Sequence, residues 1–267
     1  MNAFSMRAWN AGNALCLSLA ALLWAPAVSA QVKVIISGGF SGPYEKLVPE
    51  FERSSGLKVE TGSGSSQGSG PQTIASQLVR GVPFDVVILS REGLDELIAA
   101  RRIAPGSDVD LARTPIGVAV RAGAPKPDVS TVEAFKQLML KSRTVAVPAS
   151  TGGIFLMKEV FPKLGIADKV NVKATPRGSG ATAMVAAGAA DVGVLPVSEI
   201  LHAKGVDFVG VIADEIQLHQ PFAAALVQGS KEVAGAKRLI AFLTSEKAAA
   251  TIKAGGMAPL HGKRGAH

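Results

Sequence analysis

The sequence predicts an α/β protein of two lobes, each a small, mainly parallel sheet flanked by helices, joined by two crossover strands. Three observations lead there. Short apolar runs at 32–36, 57–60 and 85–89 alternate with amphipathic stretches, the rhythm of a parallel sheet with crossover helices. The rhythm restarts at 144, and QLVRGVPFDVVIL (77–89) is echoed by AMVAAGAADVGVL (183–195), both reading as helix, glycine stop and Asp-led strand. Two extended segments containing proline, 114–121 and 215–227, interrupt the pattern where the chain would cross between lobes. The expected division is 31–113 with 224–267 in one lobe and 114–223, crossovers included, in the other.

In chain order, Arg7, an apolar run from 14 to 25 and the small residues Ala27-Val-Ser-Ala30 read as a cleaved export signal, so the mature chain is expected in the periplasm. Strand 32–36 ends in Ser37-Gly-Gly39. A helix follows with Pro43 in its first turn and Leu47, Val48 and Phe51 on one face. A Gly/Ser loop is expected over 61–70, a helix over 71–80 stopped by Gly81, a strand over 85–89 and a further helix over 90–100. In the second lobe, strand 144–147 leads through Pro148-Ala-Ser-Thr-Gly-Gly153 into a helix reaching Leu164. From Ser230 the pattern is C-terminal helix packing back on the first lobe, and the small, basic stretch 255–267 is expected to be loose.

Composition narrows the function. There are 28 Lys and Arg against 21 Asp and Glu, and only Arg7 precedes residue 31. That positive balance draws anions, but no basic run exceeds a pair, and the single Tyr44 offers little for stacking on bases, so nucleic acid is not an expected partner. The one cysteine, Cys16, falls in the export signal, which leaves no disulfide and no thiolate metal site. His202, His219, His261 and His267 include no i, i+4 pair, and neither metal nor cofactor is expected.

Four glycine- and hydroxyl-rich loops carry the chemistry: 37–42, 62–68, 148–153 and 177–180. Each leaves backbone N–H groups free at or near a helix start, where aligned amides hold an anion without a charged side chain. The candidate ligand-binding residues are Ser37, Gly39, Phe40, Ser41, Ser63, Ser65, Ser66, Ser150, Thr151, Gly152, Gly153, Arg177, Ser179, Gly180, Pro196 and Val197. Arg177 adds a guanidinium able to pair bidentately with a carboxylate. Two enzyme patterns also occur. Gly178, Gly180 and Ala183, with Glu199 about twenty residues on, match the dinucleotide fingerprint. Gly64-Ser-Ser-Gln-Gly68, followed by Asp191 and His219, matches the order of a serine hydrolase, but flexible residues flank the expected elbow on both sides.

The small-residue loop Ser37-Gly-Gly-Phe40, the segment QLVRGVPFDVVI (77–88), the helix opened by Gly152-Gly153 and stopped at Gly165, and the C-terminal FLTSEKAAA (242–250) together resemble the periplasmic molybdate-binding proteins of ABC importers. The resemblance spans essentially the whole mature chain. It implies the type II periplasmic binding protein fold, two Rossmann-like lobes closing on an oxyanion, with an ABC permease as partner, a monomeric state and no catalysis. Two positions depart from the family pattern: Gly39 stands where a binding serine is expected and Pro196 where a binding tyrosine is expected. The resemblance implies a molybdate-like oxyanion as the favoured ligand, a case that the two departures weaken. A small organic carboxylate held by Arg177 and loop amides is the alternative, and an exported serine hydrolase a more remote one.

Overall fold

The computed structural model describes residues 31–260; the expected export signal and the last seven residues lie outside them. The first lobe opens with β1 (Gln31–Ile36), α1 (Gly38–Ser55), β2 (Lys58–Ser63), α2 (Ile74–Val79), β3 (Val86–Ser90) and α3 (Arg91–Ala99). The long β4 (Val109–Arg121) crosses over, and α4 (Val132–Lys141), β5 (Val145–Pro148) and α5 (Thr151–Phe155) follow. A π-helical turn (Leu156–Val160) leads to α6 (Phe161–Lys163), β6 (Val172–Thr175), α7 (Gly178–Ala186), β7 (Val192–Pro196), α8 (Val197–Ile200) and β8 (Val206–Val211). The return is β9 (His219–Leu226), then α9 (Val233–Leu243), α10 (Glu246–Ala254) and β10 (Ala258–Pro259).

The strands run in the order β2-β1-β3-β9-β4-β7-β5-β6, with β8 and β10 also pairing β4. β1 is parallel to both β2 and β3, and β5 to both β6 and β7, as crossover helices require. Only the strands that cross between lobes run the other way. β4 pairs β9 antiparallel up to Pro115, then pairs β7 antiparallel from Ile116. At that handover the Gln217 amide accepts from Ile116 N–H (2.7 Å) and donates to its carbonyl (3.1 Å), satisfying backbone that neither sheet serves there. β3 and β7 are buried along their whole length, which is why both read as continuous apolar runs. Each half of the sheet has apolar clusters on both faces, around Phe40, Leu47 and Phe222 and around Ile35, Ile74 and Leu94 in one lobe, and around Phe135, Val147 and Phe161 and around Ala181, Val185 and Ile200 in the other.

The internal echo has a physical counterpart. Asp85 N–H donates to Lys33 carbonyl (2.7 Å) while its carboxylate accepts Lys33 N–H (2.8 Å). Asp191 does the same across two adjacent residues, donating its N–H to Thr144 carbonyl (3.0 Å) and accepting Arg143 N–H (2.6 Å). In each lobe an aspartate ties the entry of the central strand to its neighbour.

Several boundaries differ from expectation. α1 begins at Gly38, so Pro43 lies inside it rather than in its first turn. β2 runs on to Ser63 because Thr61, Gly62 and Ser63 pair with Val34, Ile35 and Ile36, and α2 starts only at Ile74, capped by the Thr73 hydroxyl. The helix to Leu164 contains the π turn just ahead of Pro162, which has no N–H for the regular ladder. The C-terminal helix is two helices, because the Ser245 hydroxyl accepts from Ala248 N–H and starts a new one. Nor is the chain loose directly after 255: Ala258 and Pro259 pair with Arg113 and Ala112 of β4, and Met257 is buried. β8 had no counterpart among the expected strands.

Candidate functional site

The expected glycine loops are mostly helix starts that meet between the lobes. α1, α5 and α7 open at Gly38, Thr151 and Gly178, and none of the preceding residues Ser37, Ser150 and Arg177 caps its helix with a side-chain hydrogen bond. Thr73, Thr131 and Ser245 do cap theirs. Those helices use their hydroxyls internally, whereas Ser37 and Ser150 leave theirs uncommitted to the helix start.

The starts enclose a hollow lined from the first lobe by Ser37, Gly38, Gly39, Ser65 and Ser66, from the second by Ser150, Pro176, Arg177, Gly178, Pro196 and Glu199, and from the return strand by Gln220 and Phe222. Its residual volume is about 10 Å³, the room of one water. The lobes are closed on it: Ser65 Oγ donates to Pro176 carbonyl (2.6 Å), Ser90 Oγ and Thr151 Oγ1 share a hydrogen bond (2.7 Å), and Thr151 Oγ1 donates to Gln67 Oε1 (2.7 Å).

Three enclosed polar atoms of the hollow, Ser37 Oγ, Arg177 Nε and Gln220 Oε1, have no hydrogen-bond partner. Such atoms are costly unless a ligand completes them. A larger hollow of about 590 Å³ lies around Phe84 and Asp85 at the far ends of β1 and β3, but none of the unpartnered side-chain atoms found among the described residues belongs to it. Size alone does not mark the site.

Glu199 is the residue that the candidate set lacks. Its carboxyl reaches between Gly38 of one lobe and Gly178 of the other, where a Cβ on either glycine would collide with Oε2. Burial pushes its pKa up to about 7, against the opposing pull of the Arg177 charge and the Gly178 N–H. Glu199 keeps some accessible surface, on the side where it also lines a second, open crevice of about 350 Å³. Gly39 is a glycine for a similar reason, since a Cβ there would overlap the Phe222 ring.

The other candidates divide. Ser37, Gly39, Ser65, Ser66, Ser150, Arg177 and Pro196 line the hollow. Thr151 is buried beside it, bonded to Ser90 and Gln67, and Gly152 faces Ile116, Gln220 and Pro196. Ser41 and Ser179 line the crevice instead, and Ser41 Oγ donates to Gly38 carbonyl. Phe40 is buried in the first lobe's core, Ser63 is exposed at the end of β2, Gly153 sits on Pro148 carbonyl, Gly180 packs on Thr175, and Val197 is buried near Gly117 and Gly256. These five do not reach the hollow.

Neither enzyme pattern assembles as its motif requires. Ser66 Oγ accepts Ser90 N–H (2.9 Å), Asp191 pairs with Arg143, and His219 lines a hollow with Arg113 and Lys253. The dinucleotide spacing nevertheless marked the pair that matters, because Gly178 and Glu199 are in contact. Gly38 lay in the expected loop 37–42 without being named a candidate, and Gln220 and Phe222 carried no comparable signal. No helix among the described residues is long and apolar enough to cross a membrane.

A family model for bacterial extracellular solute-binding proteins matches residues 32–258. An aconitate isomerase from a Pseudomonas species is 36% identical over 255 residues, covering 91% of this chain and 96% of that protein. The molybdate-binding protein of Azotobacter vinelandii is 26% identical over 245 residues, covering 89% and 93%. A solved structure of the periplasmic molybdate-binding protein from that organism superposes with a TM-score of 0.66 at 23% identity, over 85% of this chain and 98% of that one. The two-lobe architecture and these matches agree, and the chain belongs to the bacterial extracellular solute-binding protein family, in a form resembling the molybdate-binding proteins.

Proposed function

We propose that the hollow receives a small polycarboxylate of the aconitate class and that Glu199 shifts a proton on it, interconverting the isomers. The observation that carries this reading is the juxtaposition of Arg177, with an enclosed and unpaired Nε, and Glu199, a carboxyl held near neutrality between two glycines. A guanidinium selects carboxylates by its planar fork, and a carboxyl with a pKa near 7 can both take and give a proton. The 36% identical relative named aconitate isomerase supports the same ligand class.

In the proposed reaction, ionised Glu199 removes a proton from the substrate's methylene carbon. The electron pair forms a new C=C bond, the old one moves towards the far carbon, and Arg177 stabilises the charge delocalised onto a neighbouring carboxylate. Glu199 then returns a proton to that far carbon. One proton leaves, one arrives, and no co-reactant is consumed. Ser37, Ser65, Ser66, Ser150 and the amides of Gly38 and Gly39 would orient the remaining carboxylates. A tricarboxylate needs more than the residual 10 Å³, so it must hold the lobes further apart and break the Ser65–Pro176 bond.

Membership of a solute-binding family favours a second reading, capture in the periplasm and delivery to an ABC permease without turnover. Lobes of 31–113 with 224–260, and 114–223, would then close about β4 and β9. The oxyanion expected from the resemblance is less suited to a site that sets a titrating carboxyl beside it.

One experiment separates these readings. The mature protein is incubated with cis- and trans-aconitate under NMR observation, and its thermal midpoint is measured against tricarboxylates, molybdate, tungstate and sulfate. Interconversion by the wild type, lost in Glu199→Gln while tricarboxylates still stabilise that variant, supports the isomerase. Stabilisation by tricarboxylates without turnover leaves capture. Stabilisation by molybdate and tungstate alone overturns the carboxylate reading.

A further inference from the structure

Glu199 lies between two spaces, the cleft hollow and the open crevice. The cleft hollow and the crevice share three lining residues, Gly38, Arg177 and Glu199. Beyond Glu199 the crevice passes Ser198 and reaches His202, which is exposed. We propose that Glu199 exchanges its proton with solvent through this crevice, by way of water held at Ser198 and then His202, while the cleft is occupied by its ligand. The proposal rests on the reading of Glu199 as a proton acceptor.

Two independent features support the route. Ser198 is only 2% exposed, and its Oγ is enclosed beside the crevice with no hydrogen-bond partner. A hydroxyl both donates and accepts, as a proton-relaying position must. His202 Nδ1 lies 2.8 Å from Ser198 carbonyl, which can only accept, so Nδ1 donates there and the Nε2 edge is left for other partners. The ring is fixed in place: it lies where a Cβ on Gly42 would otherwise sit. The other charged groups facing the crevice are Arg177 and Lys204, both cationic, and the acidic Glu45. A carboxyl sealed on the cleft side by Gly38 would otherwise have to wait for the lobes to open before exchanging its proton.

Proton uptake is followed by stopped flow with a pH indicator when propane-1,2,3-tricarboxylate, a saturated probe without a double bond to shift, binds near pH 7.5. The wild type should take up a proton promptly after binding. Ser198→Ala and His202→Leu should bind with affinity within about twofold of wild type but take the proton up at least tenfold more slowly. Two variants on different parts of the route guard against one of them misfolding. Unchanged uptake rates in both, with uptake intact, would sink the crevice route alone. If the wild type binds the probe and takes up no proton, the reading of Glu199 fails, and the route with it.

Discussion

An arginine whose Nε is enclosed without an acceptor carries a desolvation cost that a carboxylate ligand can repay. Charge-assisted hydrogen bonds contribute about 1.5–3 kcal/mol each, so Arg177→Ala should weaken tricarboxylate binding by roughly 10- to 100-fold, measured by calorimetry. Arg177 also opposes the rise in the Glu199 pKa, so in that variant the carboxyl should titrate higher still. Gly38→Ala tests the same place from the opposite lobe. Its methyl would meet Glu199 Oε2, and the expected outcome is a folded protein, by circular dichroism, whose lobes cannot close on the probe.

Among elements, the Asp-led strands β3 and β7 show how far the sequence could be read. The repeated pattern of helix, glycine stop and Asp-led strand was legible because alternating αβ units leave a strong period, and in each lobe the aspartate proved to tie two strand entries together. Which aspartate matters more was not legible. Asp85 is buried and also accepts from Ser230 Oγ and from Lys231 and Glu232 N–H, whereas Asp191 pairs with a largely exposed Arg143. Burial pushes Asp85 up, but its hydrogen bonds outweigh that and hold it below the usual carboxylate range. Asp85→Ala leaves several partly buried N–H groups without their acceptor and should cost about 1–3 kcal/mol in urea unfolding, against about 1 kcal/mol or less for Asp191→Ala. Because the Asp85 pKa is depressed on folding, its contribution is present above the ordinary value of 3.8 and is lost as pH falls through the folded value. The boundary misses at α1, α2 and α10 arose where register or a cap, rather than composition, set the start.

For the whole molecule, closure couples to protons. Glu199 rises from an ordinary 4.5 to about 7 on folding into the closed form, so the folded state holds more protons than the unfolded one between those values. Its stabilising contribution is present below about pH 4.5 and is lost as pH rises through about 7. The thermal midpoint of the ligand-free protein should therefore carry a component that declines across that window, and Glu199→Gln should remove it while leaving the Asp85-dependent loss at lower pH. The sequence by itself determined the two-lobe αβ plan, the crossover segments and the glycine-rich starts of α1, α5 and α7, because periodicity and backbone permissiveness are local properties. It also singled out Arg177 as a candidate anion clamp. Only the tertiary structure decided that Glu199 meets Gly38 across the cleft, that Phe40, Ser63 and Val197 stay out of the hollow, and that Ser198 and His202 line the crevice behind Glu199. Those facts depend on residues far apart in the chain being pressed together when the lobes close, and no local pattern encodes such an approach.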